Sequence, residues 1–156
     1  MNADEQFLKM AIEVARRGID LGQSPFGACI ARRGDVLACT HNRVWQNTDI
    51  TAHAEVQAIR EACGKQGAVH LDDATIYSTT EPCPMCFAAI HWARIGRIVY
   101  GATVEDAQAF GFNELPIGNE AMKGMSGSAI EIVPGCLREE AVGLFRAWQA
   151  KSGKPY

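Results

Sequence analysis

Two short segments of the chain place one histidine and two cysteines where they can hold a single metal ion. The first is His53–Glu55 (His-Ala-Glu), and the second is Pro82–Cys86 (Pro-Cys-Pro-Met-Cys). Cysteines three positions apart share one face of a helix, so Cys83 and Cys86 can chelate one ion. Three protein ligands and a water molecule are typical of catalytic zinc sites. The pattern therefore predicts one zinc ion (Zn2+) per chain, held by His53, Cys83 and Cys86, with a bound water.

Glu55 follows the predicted histidine ligand by two positions and is the candidate for proton transfer. Two positions correspond to about 200° around an ideal helix. His53 and Glu55 can therefore face one site only where a helix begins. A carboxylate that is not a ligand can take a proton from the attacking water and return it to the leaving group. Glu55 is therefore predicted to be the catalytic acid and base.

The order of the hydrophobic patterns predicts an α/β sandwich. Helical periodicity covers about residues 4–21, 52–63, 84–93, 104–110 and 137–150, and strand-like runs cover about 28–32, 36–40, 74–79, 97–100 and 129–133. A tight turn makes the first two strands a hairpin, and helical crossovers make the later strands parallel. We expect loops at 44–50 and 111–128, an N-cap at Asp4, and a second N-cap at Asp49 or Thr51.

Charge and hydropathy limit the classes of partner. The formal net charge is −3, and the scattered Arg pairs form no phosphate-binding track, which argues against a nucleic-acid partner. No apolar run approaches the roughly 20 residues of a membrane helix. The polar N-terminus is unlike a signal peptide, so we expect a cytoplasmic protein. Its six cysteines are then expected to be thiols, with Cys29 and Cys39 as small buried hydrophobes.

The two ligand segments match the H-x-E and P-C-x-x-C pattern of zinc nucleobase deaminases. The chain resembles the bacterial guanine deaminases of the cytidine deaminase-like superfamily, which are CMP/dCMP-type deaminases. The shared motifs are spread over almost the whole length: Pro25–Ala28, His41–Arg43, Thr51–Val56, Ala58–Arg60, Leu71–Asp73, Glu81–Cys86, Ala89-Ile90, Trp92–Arg94, Gly111-Phe112 and Tyr156. The resemblance implies a single domain over residues 1–156, a three-layer α/β/α sandwich with a central five-stranded mixed sheet. It also implies hydrolysis of guanine to xanthine and ammonia.

The resemblance further assigns residues to a pocket for a small-molecule purine base. Asn42 and the backbone of Ala54 would hydrogen-bond the base, and Phe26 and Trp92 would form its walls. A flat base requires such apolar walls with a few fixed polar groups. These four residues are therefore the predicted substrate-binding positions, together with a residue of the C-terminal tail.

Two features near the C-terminus complete the expected site. The resemblance implies a second catalytic carboxylate after Gly111-Phe112, and Glu114 is the candidate, although Asn113 departs from the acidic residue expected beside it. It also implies a homodimer in which the helix and tail of residues 137–156 cross to the partner. Tyr156 would then lie nearest the substrate.

Two classes of alternative remain open. The chain could deaminate guanosine, cytosine, an ammeline-like triazine or the wobble adenosine of transfer RNA, although the sequence pI of about 5.8 argues against an RNA substrate. It could instead be a non-enzymatic binding module stabilised by zinc. A structural zinc site has no use for a proton carrier, so Glu55 distinguishes the two classes.

Overall fold

The computed structural model describes residues 1–156 and contains seven helices and five strands. In chain order these are α1 (Ala3–Asp20), β1 (Gly27–Arg32), β2 (Asp35–His41), α2 (Val44–Asn47), α3 (Ala54–Gln66), β3 (Thr75–Thr80), α4 (Pro84–Trp92), β4 (Arg97–Ala102), α5 (Val104–Ala109), α6 (Asn119–Ser126), β5 (Glu131–Val133) and α7 (Arg138–Ala150). None of the helices combines the length and the apolar composition that crossing a bilayer requires.

The five strands form one mixed sheet in the order β2-β1-β3-β4-β5. Strand β1 is antiparallel to both β2 and β3, whereas β3, β4 and β5 are parallel. The register pairs Gly27 with His41 and Thr80 with Ala102. The start of β1 and the ends of β2, β3 and β4 therefore meet at one edge of the sheet.

Alternate residues of the central strands face opposite helix layers. Ala28 and Ile30 pack in a core with residues of α3 and α4, whereas Cys29 and Ala31 pack in a second core with residues of α1 and α7. Because both faces are buried, β1 is apolar along nearly its whole length. The predicted three-layer sandwich with a five-stranded mixed sheet is confirmed.

Local details of the sequence prediction were wrong at several helix ends. Asn2, and not Asp4, caps α1 through a capping box with Glu5. Asp49 binds the backbone N–H of Thr51 and caps no helix; the N-cap of α3 lies further along the chain. The predicted loops 44–50 and 111–128 contain the short helices α2 and α6, whose sequences give weak helix signals.

The expectation of six free thiols was wrong for one pair. Cys29 and Cys39 stand directly opposite each other on β1 and β2, and they form a disulfide. Their sequence separation is 10 residues, which reveals no pairing by itself. Only the hairpin register places the two side chains together. The other four cysteines are free.

One charged cluster ties α1 to the sheet. Arg97, the first residue of β4, donates from Nη1 and Nη2 to the two carboxylate oxygens of Asp4 at 2.7 and 2.8 Å. The hydroxyl of Tyr77 on β3 also donates to Asp4, at 3.2 Å. The two-pronged geometry makes this pair stronger than an ordinary surface ion pair.

Replacing Asp4 by Asn is expected to lower the free energy of unfolding by about 1 kcal/mol, because the pair is only partly buried. Hydrogen bonds from Arg97 hold the pKa of Asp4 below its usual value. The contribution is therefore present at neutral pH and is lost as the pH falls through the folded-state pKa. Urea unfolding at about pH 7 and about pH 3 measures this loss. The control Asp72→Asn changes an exposed residue and should have the free energy of unfolding of the wild type. If Asp4→Asn destabilises the protein as much at about pH 3 as at about pH 7, the ion pair with Arg97 is not the source of the stability.

Candidate active site

Two helix N-termini bring the predicted metal ligands together. His53 is the N-cap of α3 and Cys83 is the N-cap of α4, and both have extended backbones. Neither side chain caps its own helix, so both are free to point into the site. Cys86 is the third residue of α4 and lies on the same side as Cys83. The exposed N–H groups of helix N-termini favour anionic sulfur there.

The spacing of the three side chains fits zinc. Nδ1 of His53 lies 3.6 Å from Sγ of Cys83 and 3.5 Å from Sγ of Cys86. A tetrahedral zinc ion with ordinary Zn–N and Zn–S bonds would place a nitrogen and a sulfur ligand about 3.5 Å apart. All three ligand atoms lie within 4.8 Å of one another. The nitrogen and two soft sulfur donors are also a set that zinc prefers.

Glu55 lies beside the three ligands and is almost wholly buried. Its Oε2 is 3.5 Å from Sγ of Cys86, and its Oε1 accepts a hydrogen bond from the Ser78 hydroxyl at 3.0 Å. Burial raises the pKa of the Glu55 carboxyl above its usual value. Ser78 therefore fixes one oxygen of Glu55, and the other is left facing the metal ligands.

Asn42 and Phe26 lie at the same edge of the sheet as the ligands. Asn42 is fully buried, and its Oδ1 accepts a hydrogen bond from the backbone N–H of Val44 at 3.0 Å. Phe26 immediately precedes β1, and both residues line a small inner chamber of about 20 Å³. Ala54 is the first residue of α3, where a backbone N–H has no partner within the helix. The structure therefore brings these three predicted substrate-binding residues close to the metal ligands.

Glu114 lines both the inner chamber and a larger outer cavity of about 250 Å³. Burial, followed by the nearby Cys83 and Glu55, raises the pKa of Glu114 to about 7. The outer cavity is mostly apolar, with walls that sequence reasoning missed: Ile50, Met85 and Leu115. Glu114 is thus positioned, as predicted, as a second carboxyl beside the metal ligands.

The C-terminal tail lies over the site of its own chain. The Tyr156 hydroxyl accepts a hydrogen bond from Nδ2 of Asn42 at 2.7 Å, and its ring stacks on His53 with centroids 5.6 Å apart. Trp45 donates from Nε1 to the backbone oxygen of Lys154 at 3.2 Å. Gly153 permits the sharp approach of the tail to α7, since a Cβ there would overlap the Trp148 ring. Tyr156 thus separates the two cavities.

Trp92 is not brought to the site within this chain. It lies at the end of α4 with 76% of its surface exposed, and it lines neither the inner chamber nor the outer cavity. Its ring contacts His91 instead. Its assignment as a pocket wall rests on the resemblance alone and stays a prediction.

Sequence reasoning also missed the polar residues that surround Glu55. Ser78, Thr80 and Glu81 lie at or just after the end of β3, and all three are buried. Thr80 and Glu81 line the inner chamber. The run Ser78–Glu81 is polar where a buried strand should be apolar. That run was the available signal for a polar site at this edge.

A known family matches the part of the chain that carries the ligands. Residues 1–102 match the cytidine and deoxycytidylate deaminase zinc-binding region. The chain belongs to this deaminase family. The resemblance to the cytidine deaminase-like superfamily that the two ligand segments indicated is thereby confirmed.

Relatives of this deaminase family member match nearly all of its length. It is 41% identical over 151 residues to a guanine deaminase of Bacillus subtilis strain 168, and the match covers 96% of each chain. It is 34% identical over 148 residues to a tRNA-specific adenosine deaminase of the same organism, covering 95% of this chain and 89% of the other. A solved structure in complex with 2,6-diaminopurine superposes with a TM-score of 0.90 at 31% identity, covering 100% of this chain and 86% of that one.

Removing any one of the three ligands is expected to abolish tight zinc binding, because two remaining donors cannot hold the ion against dialysis. Metal analysis of the purified variants His53→Ala, Cys83→Ala and Cys86→Ala measures this loss. The free cysteines Cys63 and Cys136 provide matched controls, and Cys63→Ala and Cys136→Ala should keep the wild-type zinc content. A Cys83→Ala protein with full zinc content would exclude Cys83 as a ligand.

Proposed function

We propose that this deaminase family member hydrolyses guanine to xanthine and ammonia, as one domain over residues 1–156. The observation that carries the proposal is the position of Glu55. This buried carboxylate is not needed as a ligand, yet it lies 3.5 Å from the sulfur of Cys86, a predicted ligand. A purely structural zinc site has no role for such a group. Guanine is supported by the guanine deaminase relative and by solved neighbours in complex with 8-azaguanine and with 2,6-diaminopurine.

His53, Cys83 and Cys86 would hold one zinc ion per chain, with a water molecule as the fourth ligand. The ion would supply the Lewis acidity that makes water nucleophilic near neutral pH. The two cysteines and the histidine leave one tetrahedral position for that water. The other face of the site is formed by Glu55 and Glu114, so a base entering from the outer cavity meets both carboxyls.

Glu55 moves protons between the attacking water and the base. Its Oε2 lies 3.5 Å from Sγ of Cys86, and its Oε1 lies 3.0 Å from the Ser78 hydroxyl, which also contacts the backbone oxygen of Thr80 at 2.6 Å. It accepts one proton from the attacking water and delivers it to the ring nitrogen next to the carbon that takes the hydroxide. It then takes the proton of the hydroxyl on that carbon and passes it to the amine, so that the C–N bond breaks, ammonia leaves and the carbonyl of xanthine forms. Burial raises the pKa of Glu55, which suits a group that must act both as base and as acid near neutral pH.

Asn42, Phe26 and Glu114 orient the base. In this structure Asn42 donates its amide N–H to the Tyr156 hydroxyl. A base that enters the inner chamber would accept this hydrogen bond in place of Tyr156 once the tyrosine ring has moved aside. Phe26 packs against Phe112 with ring centroids 4.9 Å apart, which gives the chamber a rigid apolar wall. Glu114, with a pKa of about 7, can exchange a proton with the amino group of the base.

Ammonia release from guanine, guanosine, cytosine, adenine and ammeline tests the substrate. We expect turnover of guanine well above that of the other four. The variant Glu55→Gln should keep its zinc and lose activity by about 100-fold or more, because only proton transfer is removed. Glu105→Gln, an exposed acid on α5, should retain wild-type activity. A zinc-loaded protein without guanine turnover would contradict the proposed substrate, and an active Glu55→Gln would contradict the mechanism.

A tRNA substrate is the second candidate, because a tRNA-specific adenosine deaminase is a relative over most of the chain. Two observations weigh against it: the net charge of −3 gives little attraction for phosphates, and Tyr156 covers the inner chamber. A transcript carrying a wobble adenosine, added to the same assay, distinguishes the two candidates.

The tail is also part of the proposal, as the closing element of a homodimer. In this structure Tyr156 reaches the site of its own chain. An exchanged tail could make the same contacts with the partner, since identical elements can swap between protomers at little cost. The predicted exchange covers residues 137–156, so the segment that would extend in an exchanged dimer is residues 134–137, between β5 and α7. Exchange, like the expected cytoplasmic location, stays a prediction.

Mixing two variants tests the tail exchange. A Glu55→Gln chain has an intact tail but lacks the proton carrier, and a Tyr156→Ala chain has intact proton-transfer machinery but an altered tail. If tails are exchanged, the guanine deaminase activity of dimers reassembled from a mixture should differ from the sum of the two variants, because Tyr156→Ala sites are then covered by unaltered tails. If each tail closes its own site, as in this structure, the mixture should show only the sum of the two variants. Light scattering of the wild type establishes whether a dimer forms.

A further inference from the structure

Glu81 is a buried acid to which the mechanism above gives no task. It is 8% exposed and lies between the end of β3 and the ligand Cys83. Its Oε1 accepts a hydrogen bond from the backbone N–H of Val104 at 3.1 Å, and its Oε2 accepts one from the backbone N–H of Asn119 at 2.8 Å. Val104 and Asn119 are the first residues of α5 and α6. One carboxylate therefore binds the N-termini of two helices.

Helix α6 depends on Glu81 more than α5 does. Helix α5 has its own capping box, formed by Thr103 and Asp106. The N-cap of α6 is Gly118, which has no side chain to offer. Glu81 supplies the missing acceptor from a distant part of the chain, and a carboxylate at a helix N-terminus makes a charge-assisted bond.

Asn119 makes the attachment of α6 to the ligand segment rigid. It is fully buried, and its Nδ2 donates to the backbone oxygen of Pro82 at 2.6 Å. Asn119 therefore contacts both Glu81 and Pro82, the two residues that precede Cys83. The start of α6 is fixed directly to the backbone that positions one metal ligand.

Glu114 lies on the loop of residues 110–118 between α5 and α6. One end of this loop is held by Phe112, which is buried against Phe26, Phe145 and Trp148. The other end is held by Glu81 through Asn119. Glu114 itself has no side-chain hydrogen bond that would fix its position. We propose that Glu81 is a positioning residue that sets the distance between Glu114 and the metal ligands.

The proposal rests on the proposed function, since Glu114 is assigned there as the second catalytic carboxyl. It goes further by making that carboxyl dependent on Glu81, whose two carboxylate oxygens are both taken by backbone N–H groups of α5 and α6. A positioning role predicts that disturbing Glu81 lowers kcat only while the Glu114 carboxyl is present. A general structural role predicts a loss that is independent of Glu114.

Gly118 offers a way to disturb Glu81 without changing it. A Cβ at Gly118 would lie 2.9 Å from Oε2 of Glu81, too close for the carboxylate to stay in place. The backbone at Gly118 is extended (φ −73°), so alanine is otherwise tolerated. Gly124, within the same helix α6, has open space where its Cβ would lie. Gly118→Ala and Gly124→Ala are therefore a matched pair.

We expect Gly118→Ala and Glu81→Gln to lower kcat for guanine by about tenfold or more, with KM and zinc content near wild type, because small displacements of a catalytic group are costly. Gly124→Ala should keep wild-type kcat. In a Glu114→Gln background, adding Gly118→Ala should cause less than about a twofold further loss, since effects transmitted through one residue are not additive. The proposal would be overturned if Gly118→Ala lowered kcat by the same factor in the Glu114→Gln background as in the wild type. It would also be overturned if Gly118→Ala and Gly124→Ala had the same kcat.

Hydrogen exchange separates this proposal from the choice of substrate. Amides of residues 113–119 should exchange faster in Gly118→Ala than in Gly124→Ala, whether or not guanine is turned over. If the wild type fails to deaminate guanine but this difference is present, the proposed substrate is wrong and the attachment of the loop by Glu81 stands. If the exchange rates of the two variants are equal, the attachment is wrong whatever the substrate.

Discussion

The convergence of the N-termini of α3 and α4 is the constraint on which the site depends. It follows from the sheet, because β2 and β3 end at one edge and each is followed by a segment leading into one of these helices. His53 and Cys83 occupy equivalent N-cap positions with extended backbones. An N-cap side chain ordinarily binds its own helix. Here neither side chain caps its helix, and the two lie 3.6 Å apart in the predicted metal site.

Two buried acids, Glu55 and Glu81, and the half-buried Glu114 lie beside the predicted ligands, and they differ in their hydrogen-bond partners. Glu55 contacts the Ser78 hydroxyl through Oε1 at 3.0 Å and Sγ of Cys86 through Oε2 at 3.5 Å. Glu81 accepts two backbone N–H groups and is committed to holding α5 and α6. Glu114 has no such partner, and burial beside Cys83 and Glu55 raises its pKa to about 7. A divalent cation bound by the predicted ligands would offset the negative charge of this cluster.

The tail explains why the inner chamber is so small. Its volume of about 20 Å³ holds roughly one water molecule, and Tyr156 occupies the space beside Asn42. The outer cavity, at about 250 Å³, approaches the size of ordinary ligand pockets. Tyr156 lines both spaces, and its displacement would free the amide of Asn42 for another hydrogen bond. The same aromatic surface that holds the tail, formed by Phe26 and Phe112, can then contact a flat base.

The sequence by itself determined the α/β order of elements, and it predicted the ligand set and the proton carrier, whose side chains the structure brings together. These depend on local spacing: Cys83 and Cys86 share a helix face, Glu55 follows His53 at a helix start, and strand and helix periods differ. Only the tertiary structure decided the Cys29–Cys39 pairing, the roles of Ser78 and Glu81, and the exposure of Trp92. Each of these depends on strand register or on contacts between distant segments. Local spacing carries no record of such contacts, because they form only when the sheet brings those segments to one edge.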